Sequence, residues 1–272
     1  LATFKSTEAL SGSMTHIEVC PVGGWGEVGR NMTAVKVDDS VIIFDMGLHM
    51  PNYIKLTDAA IGEFSRHTEQ SLKRAEAIPQ DGIIKEWRSK VKAIVVTHAH
   101  LDHIGAVPYM ASKYDCPIIC SPFSAAILKT IMRDEKIIIP NKIIALKPGQ
   151  SMPLSNELKL EFCHITHSTP QTIIACLHTP KGVVMYANDY KLDLHPTLGK
   201  PANLDRLKKL GQQGVFALIQ DCLYAAEQRK TPSEQVAKDM LREVLLEVDN
   251  KGKGLIVTTF ASHIARLKSI AD

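Results

Sequence analysis

Short apolar runs rich in Val and Ile recur along the chain: HIEVCPV (16–22), TAVKV (33–37), VIIFD (41–45), AIVVTH (93–98), CPIIC (116–120), KLEFCHITH (159–167), TIIACLHT (172–179), VVMYAND (183–189), VFALIQD (215–221) and LIVTTF (255–260). Their length and β-branched content predict strands. Helical spacing appears in IGAVPYMASKY (104–114), FSAAILKTIMRDE (123–135), NLDRLKKLG (203–211) and SEQVAKDMLREVLLEVDNK (233–251), with Ser or Thr near the starts and Gly after some ends. The early strands follow one another without helices and the later ones alternate with them. This predicts an α/β fold of two mixed sheets between helices, not a purely parallel doubly wound sheet. Residues 48–90 hold helical pieces without a clear core period and read as an excursion over the rim of a site. Residues 1–13 lack hydrophobic period and end in Gly-Ser, so they read as a tag remnant or loose tail, with Met14 as the start of the fold.

At 272 residues the chain can bury a large core, and its net charge of +3 means that any nucleic-acid surface is a local basic patch, not a global field. Six scattered cysteines, the nearest pair in CPIIC, fit neither CxxC redox chemistry nor a zinc knuckle, and read as free thiols in a reducing cytoplasm. No apolar run reaches the ~20 residues of a membrane span.

Gly24, Gly26 and Gly29 satisfy GxGxxG, but TAVKV, a DDS turn and VIIFD follow, which is a hairpin with no helix to receive a pyrophosphate. Glycine-rich turn geometry near a site accounts for them better. The chemistry lies elsewhere. Directly after AIVVT comes His98-Ala99-His100-Leu101-Asp102-His103, and a helix begins at Ile104. Imidazole and carboxylate together suit zinc or manganese. The spacing lets His98 and His100 address one cation while Asp102 and His103 reach a second. An imidazole cluster closing a buried strand is poorly solvated unless a metal holds it. Asp45, His167, Asp189 and Asp221 end other apolar strands in the same way and would gather on one rim, although each alone could be a turn residue. Ser262, His263 and Arg266 follow LIVTTF at a helix start, where backbone N–H groups and a guanidinium favour phosphate.

On these residues the chain resembles the metallo-β-lactamase fold and, within it, the β-CASP ribonucleases of the archaeal RNase J type. GGWGEVGRNMTAV, IFDMG, THAHLDHIGAVP, HITHSTPQT, YANDYKLD and VTTFASHIARLKSI carry the resemblance in order from about Met14 to Asp272. It implies an αββα sandwich, with residues 14–230 as the metallo-β-lactamase domain and 231–272 as the beginning of a β-CASP domain. It also implies two divalent cations, zinc foremost and manganese second. His98, His100 and His167 would hold the first, Asp102 and His103 the second, and Asp189 would bridge them. Asp102, His103 and Asp189 would thus stand closest to the reaction. Asp45 would orient ligands, and Asp221 falls at an acidic motif of the β-CASP group. His164 competes with His167, but strand alternation puts the two on opposite faces, and only His167 precedes Ser-Thr-Pro.

The activity implied is hydrolysis of RNA phosphodiester bonds, foremost as a 5′-to-3′ exoribonuclease on single-stranded RNA with a 5′ monophosphate, in a cytoplasmic homodimer. A two-metal site clamps the attacking and leaving oxygens and lowers the pKa of bound water toward ~7. Ser262, His263 and Arg266 would bind the RNA backbone or the 5′ phosphate. The family continues beyond this length and supplies two further histidines, so these residues are expected to hold the first metal better than the second and to cleave poorly. The alternatives are an endoribonuclease of the messenger 3′-end or transfer-RNA processing kind, a small-molecule thioester or lactone hydrolase of the same fold, and a metal-free scaffold. GGxGEVGRN and SHIAR argue against the small-molecule hydrolase, and the intact HxHxDH argues against the scaffold.

Overall fold

The computed structural model describes residues 2–3, 15–59 and 67–272. In chain order the strands are β1 (Ala2–Thr3), β2 (Ile17–Gly23), β3 (Met32–Val37), β4 (Ser40–Phe44), β5 (Val91–Val96), β6 (Ile118–Cys120), β7 (Ile143–Ala145), β8 (Ser151–Pro153), β9 (Lys159–His164), β10 (Ile173–Thr179), β11 (Gly182–Ala187) and β12 (Val215–Gln220). The helices are α1 (Met50–Ala59), α2 (Glu69–Arg74), α3 (Leu101–Ile104), α4 (Val107–Met110), α5 (Pro122–Asp134), α6 (Leu204–Gln213), α7 (Glu234–Arg242) and α8 (Ile264–Ala271). Strands β1 to β7 form one sheet in sequence order, antiparallel as far as β4 and parallel from β4 onward. The second sheet runs β12-β11-β10-β9-β8 and is antiparallel except for the β11–β12 pair.

Side-chain alternation builds four layers from these two sheets. Along β4, Ile42 and Phe44 point into the space between the sheets, where they meet Phe162, Ala175, Leu177 and Tyr186. Val41 and Ile43 point the other way, into a cluster with Ile104, Val107, Met110 and Leu128 of α3, α4 and α5. The outer face of the second sheet presents Cys163, Ile174, Cys176 and Met185 to Leu210 of α6. A sheet covered on both faces needs apolar residues at nearly every position, which is why these strands read as continuous runs. The αββα sandwich expected from the sequence is the observed architecture.

Four expectations need correction. LIVTTF forms no strand, and among the described residues no neighbour receives its backbone hydrogen bonds; Ile256 and Phe260 are exposed. A strand without a partner has nothing to hold it extended. Residues 48–90 do contain helical pieces, but they are more than a rim: Leu48, Leu72, Ala77, Ile78 and Ile84 are buried in the helix-side core. Their spacing shows no helical period because they enter that core from short helices and the turns between them. Within the stretch expected to be a loose tail, Ala2–Thr3 pair with β2, because a sheet edge offers unpaired N–H and C=O groups; residue 1 and residues 4–14 lie outside the described residues. The helix read over 104–114 is two short helices and a 3-10 turn (Ala111–Lys113), with Pro108 in the first turn of α4. No helix among the described residues is long and apolar enough to cross a membrane.

The burial of Leu72 gives a direct test of the corrected reading. Leu72→Ala is expected to destabilise the protein by about 2–5 kcal/mol in urea unfolding, whereas a change below about 0.5 kcal/mol would return the segment to the surface.

Candidate metal centre

The turn after β4 is the base on which the centre stands. Asp45 adopts a left-handed backbone (φ 59°), which aspartate tolerates better than most residues. Its backbone N–H donates to Val95 O at 2.8 Å, and its carboxylate turns beneath β5. There it accepts hydrogen bonds from the Thr97 backbone N–H (2.8 Å) and hydroxyl (2.9 and 3.0 Å), and it lies 2.8 Å from His103 Nδ1. The same turn then runs against α3: Met46 N–H donates to His103 O (2.7 Å) and Leu48 N–H to Leu101 O (2.9 Å). Gly47 has no substitute here, because a Cβ on it would fall 1.5 Å from Asp102 O.

Above this base the strand-end side chains converge. His100 Nδ1 lies 3.0 Å from His98 Nε2 and 3.1 Å from His167 Nε2, while its Nε2 meets the Ser168 hydroxyl at 3.1 Å. One oxygen of Asp189 stands 3.8 Å from His98 Nε2, 3.6 Å from His167 Nε2 and 3.6 Å from His103 Nε2. Asp102 reaches His103 Nε2 at 3.5 Å. Two donor sets result, His98, His100, His167 and Asp189 on one side and Asp102, His103 and Asp189 on the other, each with its donor atoms within 4.8 Å of one another. A neutral imidazole offers one donor and one acceptor, so three rings whose nitrogens face one another in a buried space cannot satisfy themselves. A divalent cation fits both sets, in ligand type and in convergence.

The electrostatics divide the centre into two unlike halves. Burial and the neighbouring imidazoles push His98 well below the ordinary histidine range. They hold His167 down at about 3. His100 is lowered for the same reason. Burial works against charge on His103 too, but Asp45, Asp102 and Asp189 outweigh it and hold that ring protonated well above its usual value. Asp189 is correspondingly held at about 2, its burial overcome by His103 and the other imidazoles. One half therefore offers neutral nitrogens, and the other a cationic ring among carboxylates.

The remaining residues expected at the site stand outside both donor sets. Asp221 is exposed beyond β12 and accepts a hydrogen bond from the Leu223 N–H at 2.8 Å. His263 caps α8 by accepting from the Arg266 N–H at 3.2 Å, and its Nε2 stands 3.6 Å from the Glu234 carboxylate. The Arg266 guanidinium is closed on Glu234, at 2.5 and 3.1 Å, and so is already engaged. Ser262 lies one residue before that cap. His164 turns away as expected, to Lys200 O at 2.9 Å.

Several contributors went unnoticed in the sequence. Thr97, Ser168, Asn31 and Asn188 each touch a ligand or its neighbour, and Asp193 takes the Glu234 N–H (2.8 Å) and Ser233 hydroxyl (2.7 Å) that start α7. Only their places beside HxHxDH, HITHST and YAND could have flagged them. The six cysteines are free; five are buried and Cys222 is exposed.

A family profile described as the metallo-beta-lactamase superfamily matches residues 25–192. The chain is similar to the protein named Ribonuclease J of Methanocaldococcus jannaschii, 42% identical over 94% of this chain and 57% of the relative. It is likewise similar to Ribonuclease J of Pyrococcus abyssi, 41% identical over 94% of this chain and 56% of the relative. The chain thus spans little more than half the length of these archaeal relatives. A protein of unknown function from Enterococcus faecalis has a similar solved structure, with a TM-score of 0.66 and 17% identity over 94% of this chain and 63% of that one, and it shows the fold.

Two measurements follow from the geometry. Because a ligating imidazole must be neutral, the raised His103 makes binding at its half release about one proton at neutral pH, while the His98, His100 and His167 half releases none. On acidification the His103 half should lose its cation first, since His167 stays neutral down to about 3. Zinc calorimetry in buffers of different ionisation enthalpy reads this, and equal proton release from both halves would contradict the charge division. Gly47→Ala should lower stability by about 1–3 kcal/mol or more through the clash with Asp102 O; thermal unfolding measures it, and an unchanged melting temperature would count against the close approach.

Proposed function

The chain belongs to the metallo-β-lactamase superfamily, and from that premise we propose that it is a two-cation phosphodiesterase that hydrolyses RNA. The observation that carries the reading is Asp189, one of whose carboxylate oxygens lies 3.6 Å from both His167 Nε2 and His103 Nε2, so that the residue falls in both donor sets. The substrate class rests on the similarity, in sequence and over 94% of this chain, to relatives named Ribonuclease J.

His98, His100, His167 and Asp189 would hold one cation, and Asp102, His103 and Asp189 the other. The imidazole-rich half suits zinc, and the carboxylate-richer half accepts zinc or manganese. Bound there, the cations would supply Lewis acidity toward a phosphoryl oxygen and a water of lowered pKa. The chain's own part is geometric. Asp189 stands between the halves, Asp45 fixes which nitrogen of His103 faces the centre, and His98 is completely buried. Ser262 and His263, at the start of α8, would supply polar groups toward an RNA backbone. Arg266 serves this face through Glu234, which ties α8 to α7. In the cell we place this activity in the cytoplasm, as a 5′-to-3′ exoribonuclease acting on RNA with a 5′ monophosphate, in a homodimer.

The protein incubated with zinc or manganese and with 5′-monophosphate, 5′-triphosphate and circular RNAs is expected to shorten the monophosphorylated RNA from its 5′ end, slowly, since only Asp102, His103 and Asp189 make up the second ligand set. Asp189→Ala should lose more than the roughly 10–100-fold that removing a ligand's outer partner costs. Cutting of the circles would replace the exonuclease reading by an endonuclease one, and cleavage of none of the RNAs with any divalent ion would overturn the proposal.

A further inference from the structure

Asn31 lies at the junction of the two loops that build the His103 half of the centre. Its backbone N–H and its side-chain Nδ2 both donate to the carbonyl of Asp102, each at 3.1 Å. The same Nδ2 stands 3.2 Å from His103 Nε2. On its other side Oδ1 accepts from Asn188 Nδ2 at 3.2 Å, and that group also donates to the Tyr186 hydroxyl at 2.9 Å. Asn188 immediately precedes Asp189, so one amide joins the turn of Asp102 and His103 to the turn of the shared carboxylate. Its own carbonyl accepts from Gly47 N–H at 3.1 Å, which adds the Asp45 turn to the same junction.

The glycine segment before it makes room for this side chain. A Cβ on Gly24 would fall 2.5 Å from Asn31 Oδ1, and Gly24 sits in the left-handed region (φ 84°) that favours glycine. Arg30 also has positive φ (53°), and its N–H donates to Leu48 O at 3.0 Å. Backbone held in this unfavourable region persists only where its surroundings over-determine it. What they hold in place here is Asn31.

We propose that Asn31 is a positioning residue for one half of the centre: its amide locks Asp102 and His103 to the turn of Asp189 and leaves the His98, His100 and His167 set alone. The inference rests on the two ligand sets proposed above. It needs the side-chain amide as such, because a methyl or methylene group cannot donate to the Asp102 carbonyl and accept from Asn188 at once.

The test titrates zinc into the metal-free parent, Asn31→Ala, Asn188→Ala and the double variant by calorimetry, with elemental analysis for stoichiometry. Asn31→Ala should weaken the Asp102 and His103 half by about 10–100-fold, the cost typical of removing a ligand's outer partner, and leave the other half unchanged. Asn188→Ala should weaken the same half, and the double variant should fall short of the summed effects, as residues in one hydrogen-bonded chain do. Equal weakening of both halves, or an unchanged His103 half, would overturn the inference. If Asn31→Ala does not fold, Asn188→Ala, which removes only the outer link, decides by the same criteria. A parent that takes up no second ion would sink the proposed ligand sets instead. In that case the metal-free histidine nitrogen spectrum still judges Asn31: a His103 signal moved by Asn31→Ala, with the other three ligand histidines still, supports it, and an unmoved His103 signal rejects it.

Discussion

Everything in the centre hangs on a buried ion pair, Asp45 with His103, both of them inaccessible to solvent. Such a pair is expensive, because two charges leave water and their attraction repays the loss only when the remaining hydrogen-bonding capacity is filled. The fold fills it. Thr97 gives the Asp45 carboxylate one N–H and one hydroxyl, and the opposite edge of the His103 ring faces the carboxylates of Asp102 and Asp189. With Nδ1 committed to Asp45, only Nε2 is free to look into the centre. The orientation of a ligand is thus decided by a residue more than fifty positions earlier in the chain.

The same pair explains why the two halves differ in charge. His98, His100 and His167 crowd one another with the shared Asp189 beside them, and burial and mutual repulsion outweigh its pull and hold the three rings low. His103 has three carboxylates around it and carries the positive charge instead. In the metal-free state that cation partly offsets the acids which would otherwise repel across the site. A cation entering beside Asp102 replaces a charge already provided for, whereas one entering among the three neutral rings brings a new charge. This division of charge makes the convergence of the two donor sets, from the ends of β4, β5, β9 and β11, tolerable in the metal-free protein.

The parts of this design that depend on local pattern were legible in the sequence. Apolar runs of 5–9 residues marked all the long strands, and HxHxDH after AIVVT marked the centre, because strand ends and ligand spacing are both written in neighbouring residues. His167 could be told from His164 by alternation, which parts the two faces, together with its place before Ser-Thr-Pro, and the hairpin after the glycines argued against a dinucleotide site. What could not be read was long-range. Thr97 looks like an ordinary strand residue until Asp45 is brought beneath it, and Asn31 looks like a turn residue until Asn188, 157 positions away, donates to it. LIVTTF has the composition of a strand, but a strand also needs a neighbour. Residues 48–90 hid their core contribution because Leu72, Ile78 and Ile84 enter it from separate short elements, with no shared period to betray them.

The glycines show how closely these two kinds of information are joined. Gly24 and Gly47 sit in motifs that invite a catalytic or phosphate-binding reading, yet each is needed because another chain segment passes within van der Waals contact: Asn31 beside Gly24, the Asp102 carbonyl beside Gly47. Both approaches press the turns after β2 and β4 against α3, and neither turn could relax outward without dragging a ligand. Positive φ at Arg30 and Asp45 is the local cost of that compression. It is sustained by a sheet whose neighbouring residues, Ile42, Ile43, Phe44, Val95 and Val96, are completely buried on both faces. A core so tightly enclosed resists small displacements, and it is this resistance, transmitted through three turns, that holds a crowd of histidines and aspartates at ligating distance.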